Sequence, residues 1–272
     1  MNQTIKSILA ILVVIAIGVG VAVAGSQNGT TLFGDFPLYA FAVVLAFSIN
    51  WIVFIPAYLL QSEKFFDLTG SLTYISVSAV SLLLAPERDL RSYLLAGLVV
   101  IWAVRLGSFL FKRVLKAGKD GRFDDLKPNF LRFLSVWTLQ GLWVTFTASA
   151  ALIAITTSVK KPIDAFAVIG FLVWLIGIGI EAAADTQKSR WRAKPENKGK
   201  FINVGLWSKS RHPNYFGEIV LWVGITIIAL PVLLGWQFVA LISPIFVTIL
   251  LTRISGVPML EKRADEKWGG QA

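Results

Sequence analysis

The chain has 272 residues, of which 56% are hydrophobic and 15% charged, and its formal net charge is +10. Soluble domains carry about 25% charged residues, so this composition excludes an ordinary soluble protein and indicates a polytopic membrane protein. The absence of cysteine excludes disulfide bonds, zinc–thiolate sites and cysteine nucleophiles, and we predict no metal site.

Apolar runs long enough to cross about 30 Å of hydrocarbon recur along the chain. They lie at residues 7–25, 37–60, 68–85, 92–111, 131–156, 163–185, 215–231 and 236–253. We therefore predict an all-α, polytopic integral membrane helical bundle with seven or eight transmembrane helices. The number depends on the first run, which fits either a retained helix, as we expect, or a cleaved signal peptide.

Positive charge is distributed unequally over the two sides of this predicted bundle. With the N-terminus in the cytoplasm, 21 Lys and Arg residues fall on the cytoplasmic side and four outside. This asymmetry is typical of membrane proteins and accounts for the net charge without a nucleic-acid partner. Two long basic loops, residues 112–129 and 186–213, place the activity at the cytoplasmic face. We expect residues 1–36 to form an N-terminal helix with an outer loop, and residues 37–272 the functional domain.

The third apolar run carries a carboxylate and a phenol on one helical face. Asp67, Gly70 and Tyr74 are spaced i, i+3 and i+7, which places the two polar groups about 10 Å apart along the axis. Gly70 leaves room between them, so we expect both to line a cavity in the cytoplasmic half of the bilayer. The alternative is that Asp67 is an ordinary N-cap.

Charged residues also occur within or at the ends of two later runs. Arg105 lies inside the fourth run, where an arginine indicates a functional site or an ion pair unless its side chain reaches the interface. Asp185, Lys188 and Arg192 share one face at the end of the sixth run. Alternating acids and cations suit a nucleotide, because carboxylates accept from ribose hydroxyls and arginines pair with phosphate. The alternative is a basic membrane anchor with incidental acids.

Residues 211–218 read Arg-His-Pro-Asn-Tyr-Phe-Gly-Glu and include the only histidine of the chain. The proline is typical of a helix start, where free N–H groups favour an anion, and Arg211 and His212 add to that preference. Asn214 and Glu218 are spaced i, i+4 on one face of the helix that follows. A single histidine also fits a purely structural role.

The stretch from Asn214 to Glu218 resembles the Asn-aromatic-x-Gly-Glu signature of the membrane-embedded steroid 5α-reductase family. The likeness covers roughly residues 60–270. Asp185 together with Arg192 matches an Asp-and-Arg stretch of that family, and Arg105 matches an arginine in an earlier helix. Glu261 falls in the C-terminal segment that covers the cofactor in that family. Together with Asp67, Gly70, Trp102 and Gln140, the pattern resembles a little-characterised bacterial branch.

The resemblance implies NADPH-dependent reduction of the carbon–carbon double bond of a lipophilic, steroid-like enone. In the family, a Glu and a Tyr hold the enone carbonyl. Asp67 takes the place of the Glu here, whereas Trp102 stands at the Tyr position and cannot act as a general acid. Tyr74 is the alternative source of the phenol, and the choice between NADPH and NADH stays open.

The site residues implied by pattern and resemblance together are Asp67, Tyr74 and Trp102 for the substrate, and Arg105, Asp185, Arg190, Arg192, Arg211, His212, Asn214, Tyr215, Glu218 and Glu261 for the cofactor. We expect a monomer in the bacterial inner membrane, in contact with membrane lipid, with its active site facing the cytoplasm.

Two other functions fit parts of the pattern. Membrane methyltransferases of the isoprenylcysteine type, which use S-adenosylmethionine, share an Arg-His-Pro-x-Tyr-x-Gly motif with residues 211–217. Those enzymes tend to have an adjacent pair of glutamates near the C-terminus, where this chain has Glu261 alone. A transporter or scaffold would place polar groups near the bilayer midplane, whereas here they concentrate in the predicted cytoplasmic half.

Overall fold

The computed structural model describes residues 2–32, 34–118 and 120–268. Within these ranges eight helical segments are long and apolar enough to cross a membrane, which confirms the predicted all-α polytopic bundle. The helices are α1 (Gln3–Gly25), α2 (Leu38–Leu59), α3 (Phe66–Leu84), α4 (Leu90–Ala117), α5 (Phe130–Thr156), α6 (Ala165–Arg192), α7 (Pro213–Ala229), α8 (Ile242–Ile249) and α9 (Val257–Trp268). A π-helical turn, Leu250–Ile254, joins α8 to α9 within the last of the eight segments.

Two helices continue beyond the ends that hydropathy predicts. α4 runs to Ala117 and α6 to Arg192, so the prediction that residues 112–117 and 186–192 are loop was wrong. Lys and Arg are good helix formers and are favourable in the last turn of a helix, where they interact with its dipole. Residue 119 of the first predicted basic loop lies outside the described residues.

The described chain forms two compact units, and the first comprises Met1–Asp164 and Ala229–Leu241. The boundary predicted at residue 36 lies inside this unit. α5 is its central helix and packs against α1, α2, α3 and α4. Every residue from Thr147 to Thr156 is buried, as expected for a helix that is surrounded on all sides.

A buried ion pair fastens the loop after α4 to the loop before α3. The Glu63 carboxylate accepts hydrogen bonds from Lys127 Nζ at 2.5 Å and from the Asp120 backbone N–H at 2.8 Å. Burial raises the pKa of Glu63, but these hydrogen bonds outweigh it and hold the pKa below its ordinary value. Burial likewise lowers the pKa of Lys127, and the bond to Glu63 more than reverses this. Next to the pair, Phe123 packs in an aromatic core cluster that includes Phe66.

The second unit comprises Ala165–Ile228 and Ile242–Ala272, and its defining feature is a glycine seam between α6 and α7. Gly170 and Gly177 on α6 face Gly224 and Gly217 on α7. A Cβ added to Gly177 would lie 2.7 Å from the Gly217 carbonyl oxygen, and one added to Gly170 would lie 2.6 Å from that of Gly224. Small residues are what allow helix backbones to approach this closely in membranes.

Candidate functional site

The glycine seam ends in a pair of polar residues, one from each helix. Asn214, in the first turn of α7, donates through Nδ2 to Asp185 Oδ1 at 3.3 Å. One turn earlier on α6, Glu181 is 2% exposed, and Gly217 packs against its backbone. The seam therefore sets which residues of α6 and α7 meet. It brings together Asp185 and Asn214, two of the residues that we predicted to bind the cofactor.

An ion-pair cluster lies at the start of α7. Glu261 Oε2 is 2.7 Å from Arg211 Nη2, and Glu261 Oε1 is 2.6 Å from His212 Nε2. An ionised carboxylate only accepts hydrogen bonds, so the His212 ring donates through Nε2. The same ring stacks on Tyr215 with centroids 5.5 Å apart and an interplanar angle of 9°. Four of the predicted cofactor residues are thus in contact.

Arg190 and Arg192, the two arginines on α6 that we predicted to bind phosphate, point to different faces of the helix because α6 continues to Arg192. Arg192 is seven residues after Asp185 and so shares its face, whereas Arg190 is five residues after it and lies about 140° around the helix. Both side chains are exposed. On geometry, Arg192 is the better placed of the two beside Asp185.

The loop before α7 is tied to α6 through residues that the sequence pattern did not identify. Trp207 Nε1 donates to the Ala184 carbonyl at 2.9 Å, and the Leu206 N–H donates to Gln187 Oε1 at the same distance. Lys188 Nζ lies 4.0 Å from the centroid of the Trp207 ring, a cation–π contact. We predicted Lys188 to be one of the cations that pair with phosphate. In the structure its ammonium group packs on Trp207 and helps attach the loop before α7 to α6.

In the first unit, Asp67 lies in the first turn of α3, where the N-cap position is taken by Phe65, so the N-cap interpretation was wrong. Its Oδ2 is 3.7 Å from Arg113 Nη2 on α4. Gln140 Nε2 donates to the Phe66 carbonyl at 3.0 Å, and a Cβ added to Gly70 would lie 2.6 Å from the same nitrogen. The room that Gly70 leaves is therefore filled by Gln140 and is not open.

The two candidates for the carbonyl-holding donor are in contact with each other. Tyr74 and Trp102 pack edge to face with centroids 5.0 Å apart. The Tyr74 hydroxyl donates weakly to the Trp143 carbonyl at 3.5 Å. Trp102 is buried, and Arg105 follows it by one turn on α4 with a partly exposed side chain. Arg105 thus belongs to the first unit, while the other nine predicted cofactor residues belong to the second.

An apolar pocket of about 490 Å³ lies elsewhere in the first unit, among α1, α2 and α5. Its lining includes Trp51, Phe54, Tyr58, Phe130 and Leu134. None of the predicted catalytic residues is among the residues that line it.

Comparison with known proteins identifies the family of the chain. Residues 53–272 match the model of a family described as a protein of unknown function, DUF1295. The chain belongs to this family. No curated protein and no solved structure matches the chain. The matched region of this DUF1295 protein begins within α2 and includes every predicted site residue in both units.

Proposed function

We propose that the protein is an NADPH-dependent reductase of the carbon–carbon double bond of a lipophilic enone in the membrane. The observation that supports it best is the polar cluster of the second unit. We use the term second-unit cluster for its members Asp185, Arg211, His212, Asn214, Tyr215 and Glu261. Carboxylates, cations, an amide and a stacked aromatic pair lie together at one end of α6 and α7.

The chemistry of this cluster fits a nicotinamide nucleotide. Asp185 offers acceptors for ribose hydroxyls, and Asn214 offers an amide for the ribose or the carboxamide. Arg211 and Arg192 are exposed cations that suit phosphate. The Nδ1 atom of His212 is buried and has no hydrogen-bond partner among the described residues.

When bound, NADPH would supply the hydride that reduces the β-carbon of the enone. Asp67, Tyr74 and Trp102 are the side chains that we assign to the carbonyl oxygen of the substrate. Asp67 donates a hydrogen bond only when protonated, whereas the Tyr74 phenol and the Trp102 indole donate in their ordinary states. Of these two, only the phenol can also transfer a proton, so we assign the acid role to Tyr74.

A second candidate is an S-adenosylmethionine-dependent methyltransferase acting on a membrane lipid. The observation that favours it is that Glu261 contacts both Arg211 and His212. These contacts link residues 211–217, the motif shared with the isoprenylcysteine-type methyltransferases, to Glu261 in the C-terminal segment. Arg211 of the cluster and Arg192 on α6 are two exposed arginines, which a cationic methyl donor without phosphates does not require.

Thermal unfolding of the detergent-purified protein in NADPH or in S-adenosylmethionine separates the two candidates. A ligand at 100 times its Kd adds about 2.7 kcal/mol to the stability of the folded state, which is seen as a higher Tm. We expect stabilisation by NADPH that is lost in Asn214→Ala and Glu218→Ala. Lys194→Gln, an exposed charge change in the loop after α6, serves as the control.

Stabilisation by S-adenosylmethionine alone would replace the reductase with the methyltransferase. Stabilisation by neither ligand would remove both and favour a role without catalysis. If NADPH binds, its oxidation in the presence of lipophilic enones, followed by absorbance, tests the reaction itself.

A further inference from the structure

Glu261 holds Arg211 and His212 in the way that a phosphate group would. Its two oxygens each meet one of the two residues, at 2.7 Å and 2.6 Å. Paired oxygens of one anion on adjacent donors are the usual mode of phosphate and carboxylate recognition. We infer that Glu261 occupies the anion site formed by Arg211 and His212, and that a phosphate group of the ligand displaces it. This inference rests on the proposed function, in which the phosphate is that of NADPH.

The exposure of the pair makes such an exchange possible. The Arg211 side chain is 69% exposed and that of Glu261 26% exposed, so a ligand in water reaches both. An ion pair that water reaches contributes little to stability, and its replacement by a second anion on the same donors costs correspondingly little.

The segment that carries Glu261 is attached to α8 through irregular backbone. α8 ends in the π-helical turn Leu250–Ile254, and α9 begins at Val257. Between them, a Cβ added to Gly256 would lie 2.9 Å from the Tyr215 ring. π-helical turns within helices occur frequently at functional sites. Glu261 connects α9 to Arg211 and His212, so its displacement removes those two contacts. We expect ligand binding to loosen α9.

The test compares Glu261→Gln with Glu266→Gln in the full-length protein. Glu266 lies on the same helix and is exposed, so the second variant changes the net charge equally without touching the site. Binding of NADPH and of inorganic pyrophosphate is measured by titration. We expect both to bind about tenfold more tightly to Glu261→Gln than to the wild type, a coupling of ordinary size, and unchanged to Glu266→Gln.

Hydrogen exchange of residues 257–268 provides a second readout. In the wild type, pyrophosphate should speed exchange in this segment, whereas in Glu261→Gln exchange should already be fast without ligand. Exchange that slows on binding, or weaker binding by Glu261→Gln, would make Glu261 a direct ligand contact and overturn the inference. Equal affinities in the wild type and Glu261→Gln would overturn it as well.

The two ligands separate this inference from the proposed function. Tighter pyrophosphate binding by Glu261→Gln with no NADPH binding to any variant would support the anion exchange and reject the reductase. NADPH binding that is the same in all variants would support the reductase and reject the exchange. Failure of both ligands to bind would reject both.

Discussion

The two polar regions of this protein use similar side chains in opposite ways. In the first unit, Asp67 pairs with Arg113 between α3 and α4, and Gln140 fills the space beside Gly70. In the second unit, Arg211 and Glu261 contact each other where water reaches both. The first region therefore contributes to holding the fold, whereas the second keeps charges available for a ligand.

This difference predicts where substitutions act. Buried polar groups that are paired in the fold are costly to break, because the remaining partner stays desolvated. Exposed groups contribute little to stability, so their removal affects only what they bind. Substitution of a buried, paired group such as Glu63 in the first unit should change the free energy of unfolding, and substitution of an exposed charge such as Arg192 in the second unit should change ligand affinity.

The largest loss of stability is expected from Glu63→Gln. The Glu63 side chain is 2% exposed, and removing one partner of a buried ion pair costs about 3–5 kcal/mol. The folded-state pKa of Glu63 is below its ordinary value of 4.5. Its contribution is therefore present above that pH and is lost as the pH falls through the lower, folded-state pKa. Chemical denaturation at neutral and acidic pH measures both effects.

Asp125→Asn, an exposed acid of the same loop, is the control for Glu63→Gln. It should leave stability nearly unchanged, and Glu63→Gln should flatten the acid side of the pH profile. An equal loss in both variants would mean that the Glu63–Lys127 pair does not fasten the loop.

A smaller loss, about 1–3 kcal/mol, is expected from Gly177→Ala, because the added methyl group would push apart two helix backbones. The nearest carbonyl oxygen, that of Gly217, would lie 2.7 Å away. Gly179→Ala, on the same helix with no atom within 4 Å of the added Cβ, should be neutral or slightly stabilising. NADPH binding should weaken in Gly177→Ala alone, since the seam positions Asp185 against Asn214. Unchanged stability in Gly177→Ala would contradict the close seam.

The seam shows how far the sequence could predict the site. Gly170 and Gly177 are seven residues apart on α6, and Gly217 and Gly224 are seven apart on α7. Two such spacings in neighbouring membrane helices indicate close packing. The glycine spacing was thus enough to predict that α6 and α7 pack together, whereas the predicted site rested on polar residues and a resemblance.

Other parts of the site could not be read from spacing within one helix. The face shared by Asp67, Gly70 and Tyr74 was predictable, but the occupant of the gap, Gln140, comes from α5, 70 positions further along the chain. The partners Arg113 and Trp207 likewise come from other segments. Hydropathy identified the eight membrane segments well, because about 20 apolar residues are a strong signal. It misplaced the ends of α4 and α6, because basic residues lower hydropathy without breaking a helix.

A still smaller effect on stability is expected from Tyr74→Phe, which keeps the edge-to-face contact with Trp102 and removes only a weakly bonded hydroxyl. If Tyr74 is the acid of the proposed reaction, turnover of an enone with NADPH should fall by about 10²–10⁴, while the Tm hardly changes. Trp102→Phe is the matched variant, since it removes the indole N–H and keeps an aromatic ring. A larger loss of turnover in Trp102→Phe would assign the carbonyl to the indole.

The smallest change in stability, within about 0.5 kcal/mol, is expected from two exposed substitutions on α6, Arg192→Gln and Arg190→Gln. The two variants remove the same charge two residues apart, so they differ mainly in the helix face that they alter. If Arg192 helps the second-unit cluster to hold the phosphates of NADPH, titration should show weaker binding in Arg192→Gln, on the face of Asp185, and little change in Arg190→Gln. Equal weakening in both would mean that the cations act through their summed field. The distinction between a region that holds the fold and one that positions charges for a ligand would then fail, because positioning would not matter.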